Sequence, residues 1–340
     1  MIEMHPIFKF RTEPNEEIID LLDSVTLGTD GAQYKHLDTR EKIQEADNPL
    51  YLSMERREKV LGNVTLCRRG KNWYIRYFAF DSAMQSQGTK KSSSKGLLKR
   101  ELNAFFDHQL ESEEVDSFYA YIDPRNVKSL WMSENFGFKT VGKIATQSYS
   151  SIDKLKTKRV QMDAQPTEIP QEIDSHFRVQ NFYFTEQLEK GEHFSIRNEA
   201  GELIAFAKAT SAHWQIKRLP GKMGGTLVKL IPFLPLISRL VKPKSHRFVT
   251  VEAVYIKDNI PQVLKELFDG ILAHSGRRII FWWVDETDDL YRSVHAKIKW
   301  GILHKLIGVN QVNLVKRSLA GRSNQQRTNK VNYTSGFDFI

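Results

Sequence analysis

Residues 121–138 read YIDPRNVKSLWMSENFGF, and the order of residue types in this stretch decides the fold. Residues 117–122 alternate as a strand. Asn126 is a residue type that caps or positions a helix start, and a helix is expected over residues 124–136. Gly137 takes the left-handed conformation that a helix C-terminus favours. Phe138 then opens a strand over residues 138–148 and seals the helix against the sheet. The stretch is therefore a strand, an amphipathic helix and a strand.

Upstream of it the chain reads as a mixed α/β domain. Residues 7–12 form a short strand. Asn15 caps a helix that places Ile18, Ile19, Leu21 and Leu22 on one side, and Asp38 caps a second helix over residues 39–46. Residues 50–55 and 59–68 are two strands joined by a tight charged turn. Residues 72–81 are a third, dense in aromatic and β-branched side chains, which makes an antiparallel meander. The polar residues 84–95 have no apolar periodicity. They lead into a helix whose Leu97, Leu98, Leu102, Phe105 and Phe106 recur at helical spacing. Residues 155–162 close this domain, which spans 1–163. Residues 164–173, with Pro166 and Pro170, are a linker.

Residues 174–340 repeat the element order without repeating the residues. A hairpin joins 194–197 to 203–210 across 198–201. Strand 248–256, helix 261–274, strand 278–284, a mostly helical 288–306 and strand 311–317 follow, with 330–340 as a last strand. The large departure is an insert at 211–247, which contains LPGKMGGTLVKLIPFLPLISRLVKPK.

The spacing within residues 126–138 resembles the GNAT superfamily of acyltransferases, which show Asn, a small residue three on, an apolar residue six on, Tyr seven on, and Gly-Phe at eleven and twelve. Here Asn126, Ser129, Met132, Gly137 and Phe138 fit, and Ser133 stands in place of the Tyr. In many family members that Tyr hydroxyl protonates the departing CoA thiolate. The resemblance implies a mixed α/β sheet in two tandem GNAT-like acyl-CoA N-acyltransferase folds, the second degenerate. It carries a motif over the first half and rests on architecture in the second.

It also implies that acetyl-CoA or another acyl-CoA binds where a loop meets a helix N-terminus, because free backbone N–H groups there form an anion site. The family's Gly-rich loop corresponds to residues 87–96, where serines stand for the usual small residues. Phe80, Gln87, Gly88, Lys90, Lys91, Ser92, Ser93, Ser94, Lys95, Asn126 and Ser129 are the candidate cofactor-binding residues. Without a ligand this Ser/Lys-rich loop reads as a solvated surface segment. The implied reaction moves an acyl group from CoA to an amine on a small molecule or peptide. It needs a base and polarising N–H groups. The carboxylates nearest the strand that offers those N–H groups are Asp81, Glu55 and Asp123; Asp81, which closes the central meander strand, is the candidate base, and Asp123 before Pro124 reads as a turn or capping residue. Tyr121 is a candidate proton donor, with Tyr119 on the same face, and Ser133 occupies the position of the family's acid.

Composition bounds the alternatives. The chain has 340 residues, 40% hydrophobic and 27% charged, which suits two folded domains. Its single cysteine, Cys67, excludes an intrachain disulfide and a cysteine-based metal site, and its apolar neighbours read it as a small buried side chain. No metal site is expected. Asp285, Glu286, Asp288 and Asp289 read as a helix cap rather than a hard-cation site. The N-terminus lacks a basic start followed by a long apolar run, so the expected location is cytoplasmic. The net charge is +9, and residues 203–251 and 290–337 each carry nine Lys/Arg and no Asp or Glu. That bias leaves a second function open: a non-catalytic GNAT-like binding protein whose basic C-terminal half engages nucleic acid or an anionic membrane surface.

Overall fold

The computed structural model describes every residue except 1–3, 29–31, 58, 82–92, 113, 154–158, 165, 167, 220–222, 320–329 and 340. The chain forms two compact units. The first comprises Met1–Leu27, Asp38–Val141 and Asn313–Thr328. The second comprises Gly28–Leu37, Gly142–Val312 and Asn329–Ile340. Among the described residues no helix is long and apolar enough to cross a membrane.

In the first unit the strands run β1 (Phe8–Arg11), β3 (Pro49–Arg56), β4 (Lys59–Arg69), β5 (Asn72–Phe80), β6 (Ser117–Ile122) and the unit's part of β13 (Asn310–Arg317). Neighbours are antiparallel except β5 and β6. Among the described residues the unit's helices are α1 (Glu16–Ser24), α2 (Thr39–Gln44), α3 (Ser93–Glu111) and α4 (Val127–Asn135). Asn15 Oδ1 accepts from Ile18 N at 3.0 Å, so the expected cap of α1 forms, and the predicted apolar side of α1 is buried. Asp38 makes no side-chain cap bond to α2.

The core of this unit is the helical stripe of α3 against the sheet. Leu102, Phe105, Phe106 and Leu110 are buried and pack with Phe118, Phe136, Phe138 and Val315. Each such side chain taken out of water contributes roughly 1.5–3 kcal/mol before entropy is counted. Cys67 is buried, as a small apolar residue would be. Arg317 of β13 donates to Asn103 Oδ1 at 2.7 Å, pairs with Asp107 and lies 5.3 Å over the Phe106 ring. The last strand of the unit, which comes from the far end of the chain, is thus pinned to α3.

The second unit repeats the pattern. Its strands run from the unit's part of β7 (Lys139–Ser150) through β12 (Ile279–Asp285), β11 (His246–Ile256), β10 (Leu203–Arg218) and β9 (Glu192–Arg197) to β8 (Val160–Asp163). Only β11 and β12 are parallel. Helix α8 (Pro261–Ser275), with Pro261 in its first turn, connects them and buries Leu264, Leu267, Phe268 and Ile271. The remaining helices are α5 (Gln171–Phe177), α6 (Gly224–Leu230), α7 (Pro235–Leu240), α9 (Asp289–Val294) and α10 (Ile302–Ile307).

Four readings of the sequence change. Residues 211–218 extend β10 instead of opening an insert, and β2 (Gln33–His36) pairs with them. Tyr34, His36 and Trp214 stack there, with Tyr34 and Trp214 at 3.9 Å between centroids. The stretch 288–306 divides into α9 and α10: the first ends at Val294, and Gly301, with φ +95 where an added Cβ would meet the Ser150 carbonyl oxygen at 2.1 Å, precedes the second. Residues 330–340 do not form a strand: a bridge from Asn181 to Asn332 precedes a 3-10 turn at Gly336–Phe339. Residues 171–177, partly read as linker, are helix α5.

A pH response follows from the second unit. Burial, reinforced by the nearby His213, pushes the His246 pKa from 6.5 down to about 4. Below pH 6.5 the unfolded chain takes up this proton first, so stability is complete above that value and falls as pH drops towards 4. Between pH 7 and about pH 4.5, His246→Gln is expected to lose less unfolding free energy than wild type, by on the order of 2–3 kcal/mol. Urea titrations at the two pH values measure it, and identical losses contradict it.

Candidate active site

Strands β5 and β6 pair over only three residues on each side: Asn72 with Ser117, Trp73 with Phe118 and Tyr74 with Tyr119. Beyond that point β5 keeps its ladder to β4, and β6 keeps its ladder to β13. The cause lies in β5. Thr65 of β4 faces Tyr77 and Leu66 faces Ile75, which leaves Arg76 as a bulge. A bulge bends its strand and raises its local twist. The bend begins two residues past the last β5–β6 pair, so the strands part and their facing edges open. Helices α3 and α4 follow β5 and β6 respectively. An opening at the carboxyl ends of parallel strands, beside helix N-termini, is the usual ligand position in such sheets.

The closed end of the opening is held by a buried cation that the sequence reading missed. Arg69, 2% exposed, donates to the Tyr119 hydroxyl at 3.0 Å and lies 4.8 Å over the Tyr74 ring. Asp47 is 3.9 Å from the same guanidinium. The Tyr74 ring lies 5.3 Å from Tyr119 and 5.7 Å from Tyr121. Tyr119 is thus a core residue with its hydroxyl engaged by Arg69. Tyr121, two residues on, is half-buried at the open part of β6. Nothing local in the sequence marks Arg69, an arginine at the end of a strand before a Gly turn.

The other sequence-selected residues fall as follows. Asp81 continues the hairpin: its N–H donates to Leu61 O at 2.9 Å, and Lys59 Nζ lies 2.9 Å from its carboxylate. Phe80 ends β5 and its ring meets Phe78 edge-on at 5.0 Å. Asn126 Oδ1 accepts from Ser129 N at 3.1 Å, which caps α4. Gly137 has φ +77, and Phe138 N donates to Ser133 O, closing the helix as expected for this sequence. The Ser133 hydroxyl donates to Leu130 O at 2.8 Å, within its own helix. Ser93, Ser94 and Lys95 form the first turn of α3, which carries no acidic residue. Gln87, Gly88, Lys90, Lys91 and Ser92 lie outside the described residues.

The neighbouring carboxylates are occupied. Asp123 accepts from Arg125 N at 2.8 Å and from its guanidinium at 2.7 Å. Burial raises its pKa, but the bonds and charge of Arg125 outweigh this and hold it below the usual range. Glu55 accepts from Ser53 Oγ at 2.6 Å and pairs with Arg11. In the second unit, Asp288 caps α9 through Tyr291 N at 3.0 Å, and Asp285 receives Thr287 and Asn332. Among the described residues no group of three His, Cys, Asp or Glu is placed to hold a metal.

The second unit has its own parting strands. β11 and β12 pair from Val249 with Ile280 to Val251 with Trp282. The register between β10 and β11 then shifts around Ala253, whose φ of +49 is left-handed. Here the chain's last residues lie across the parting point. Thr334 Oγ1 donates to Trp283 O at 2.7 Å, and Asn332 N donates to Asp285 at 3.0 Å. Tyr333 OH donates to Glu252 at 3.1 Å, and a Cβ on Gly336 would meet Thr250 Oγ1 at 3.1 Å. Glu252 itself faces Lys208 Nζ at 2.6 Å, both buried. A cleft of about 420 Å³ in this unit, bordered by His176, Tyr255, Asp288 and Lys330, contains none of the residues given a catalytic or cofactor-binding role from the sequence; it includes Asp288 and Asp289 of the acidic cluster read as a helix cap.

No family model matches the sequence. No curated protein matches it. Solved structures do. Saccharomyces cerevisiae N-myristoyltransferase with bound myristoyl-CoA is similar with a TM-score of 0.55 at 10% identity, covering 93% of this chain and 80% of that one. A tandem GNAT protein from the clavulanic acid biosynthesis pathway gives 0.52 at 9% identity, with coverage of 91% and 98%. The glucosamine N-acetyltransferase region of a fungal multi-domain β-N-acetylglucosaminidase gives 0.54 at 10% identity, covering 91% of this chain and 38% of that one. At such identity the likeness is one of fold, and the chain has a tandem GNAT-like fold.

The role of Arg69 gives a stability prediction. Tyr119→Phe removes the hydroxyl that accepts from buried Arg69 and is expected to cost about 1–3 kcal/mol, measured by urea unfolding. A cost below about 0.5 kcal/mol, the range of an ordinary surface change, contradicts that role.

Proposed function

We propose that the chain is an acyl-CoA-dependent N-acyltransferase, using acetyl-CoA, whose site is the opening between β5 and β6 of the first unit. The observation that carries this reading is the parting of that parallel pair at the Arg76 bulge. The residues present suit a CoA ester. Beyond Tyr74 and Tyr119 the two strands no longer pair, and a thioester carbonyl placed in such a parting can be polarised by backbone N–H groups of a strand edge. The acid-free first turn of α3 suits a pyrophosphate, because the N-terminal end of a helix is its positive end. Lys90 and Lys91 of the preceding segment and Lys95 of that turn add charge.

In this reading acyl-CoA supplies the activated acyl carbon, and the protein positions the acceptor and moves protons. The acceptor ammonium loses a proton through water to Asp81, which Lys59 holds in place at 2.9 Å. The free amine nitrogen bonds to the thioester carbon as the carbon–sulfur bond breaks. Tyr121 gives its phenolic proton to the departing thiolate and regains one, through water, from the acceptor nitrogen as that nitrogen becomes an amide. Ser133 occupies the position of the family's acid, but its proton goes to Leu130 O, which favours Tyr121 for this step. The acceptor is an amine of a small molecule or peptide. The bonds that hold residues 332–336 across the β11–β12 parting support a single cofactor site in the first unit.

Two outcomes test this. Acetyl-CoA at 100 times its Kd raises stability by about 2.7 kcal/mol, read as a higher Tm, and replacing Lys90, Lys91 and Lys95 with Glu abolishes the shift. No shift with acetyl-CoA or any longer acyl-CoA contradicts cofactor binding. With an accepted amine in hand, Tyr121→Phe lowers kcat by roughly 100-fold or more, while Ser133→Ala leaves it within about twofold. The reverse ranking contradicts the assignment of the proton donor.

A further inference from the structure

The stretch 223–244 of the second unit is built in two opposed halves. Ile231, Leu240 and Val241 are buried and pack with Ala212, Trp214 and Phe248 of the sheet. These three anchor the excursion. Pro232 and Pro235 break it, so that α6 and α7 are joined by a 3-10 turn at Ile231–Phe233 instead of forming one helix. The outward half carries Met223, Leu227, Leu230, Phe233, Leu234 and Leu236, all exposed, with Phe233 at 79%. These are six of the fourteen exposed large hydrophobic side chains of the described residues, and they fall within fourteen positions of sequence. Single exposed apolar residues are ordinary, but a contiguous group of this kind marks a contact surface.

Charge selects the partner. Lys229, Arg239, Lys242 and Lys244 are exposed around this apolar group, and among the described residues none makes an ion pair. The surrounding sequence 203–251 holds no acidic residue. Lysine is depleted from the cores of protein–protein interfaces, and interfaces with nucleic acid are polar, with no use for six aliphatic and aromatic side chains. A short segment with an apolar outer face and a lysine-rich rim matches the boundary of an anionic bilayer. There apolar side chains enter the headgroup–acyl region to about 5–10 Å while cations meet lipid phosphates and carboxylates.

We propose that residues 223–244 dock the protein peripherally onto an anionic lipid surface, with Phe233 and its aliphatic neighbours inserted and the four cations against the headgroups. This is independent of acyl transfer.

Flotation of the full chain with vesicles tests it. Vesicles of phosphatidylcholine with about 30% phosphatidylserine are expected to carry the protein, and pure phosphatidylcholine vesicles to bind at least tenfold more weakly. Phe233→Asp with Leu236→Asp abolishes binding. Because both side chains are exposed, the variant keeps the wild-type Tm. Lys229→Gln with Arg239→Gln, which leaves the apolar group intact, weakens binding roughly 25-fold, since each cation near such a surface strengthens it about fivefold. Absence of binding to the anionic vesicles overturns the proposal, as does binding that ignores lipid charge or survives the Phe233 and Leu236 substitutions. A lipid-free dimer in gel filtration that disappears in the Phe233→Asp, Leu236→Asp variant also overturns it, because a second copy is then the occupant.

Discussion

A parallel strand pair held over three residues and then released by a bulge is the constraint on which the first unit depends. Had Arg76 kept register, β5 would have remained beside β6 and the sheet would have been closed. Releasing it ends the ladder between the two strands after Tyr74 and Tyr119, and buried backbone groups at such a parting need other partners. The rest of the unit makes that release sustainable. Arg69, Tyr74 and Tyr119 lock the paired end, while Leu102, Phe105 and Phe106 of α3 hold the sheet from one face. Asn126 and Gly137 fix both ends of α4. In these elements local residue choice and fold agree.

The second unit obeys the same constraint with a different outcome. Its parallel pair is also three residues long, and a left-handed Ala253 marks the shift that parts it. At this parting point the chain's own residues are seated. Asn332, Tyr333 and Thr334 bond Asp285, Glu252 and the Trp283 carbonyl, and residues 332–338 are buried. Degeneracy here has a physical form: protein side chains take hydrogen-bond positions at the corresponding place in the repeat.

Much of this was legible in sequence where the cause is local. The cap at Asn126, the terminator at Gly137, the Leu102–Phe106 stripe and the meander strands each follow from residue type and spacing over a few positions, and each is present. What escaped depends on partners far along the chain. The Arg76 bulge exists only relative to β4. The extension of β10 to Arg218 requires β2 and β11 beside it. Residues 330–339 alternate enough to suggest a strand, yet their polar side chains are used against Asp285 and Glu252, nearly fifty and eighty positions earlier. For the same reason Tyr119 and Tyr121 looked equivalent on one strand face, and only the position of Arg69 separates them.

Hydrogen–deuterium exchange with and without saturating acetyl-CoA tests the central claim most directly, since it locates bound ligand along the whole chain. Protection is expected at the end of β5, the first turns of α3 and α4 and the open part of β6, with residues 249–262 and 279–285 unchanged. Protection confined to those second-unit strands, or no protection anywhere, would contradict an acyl-CoA site between β5 and β6.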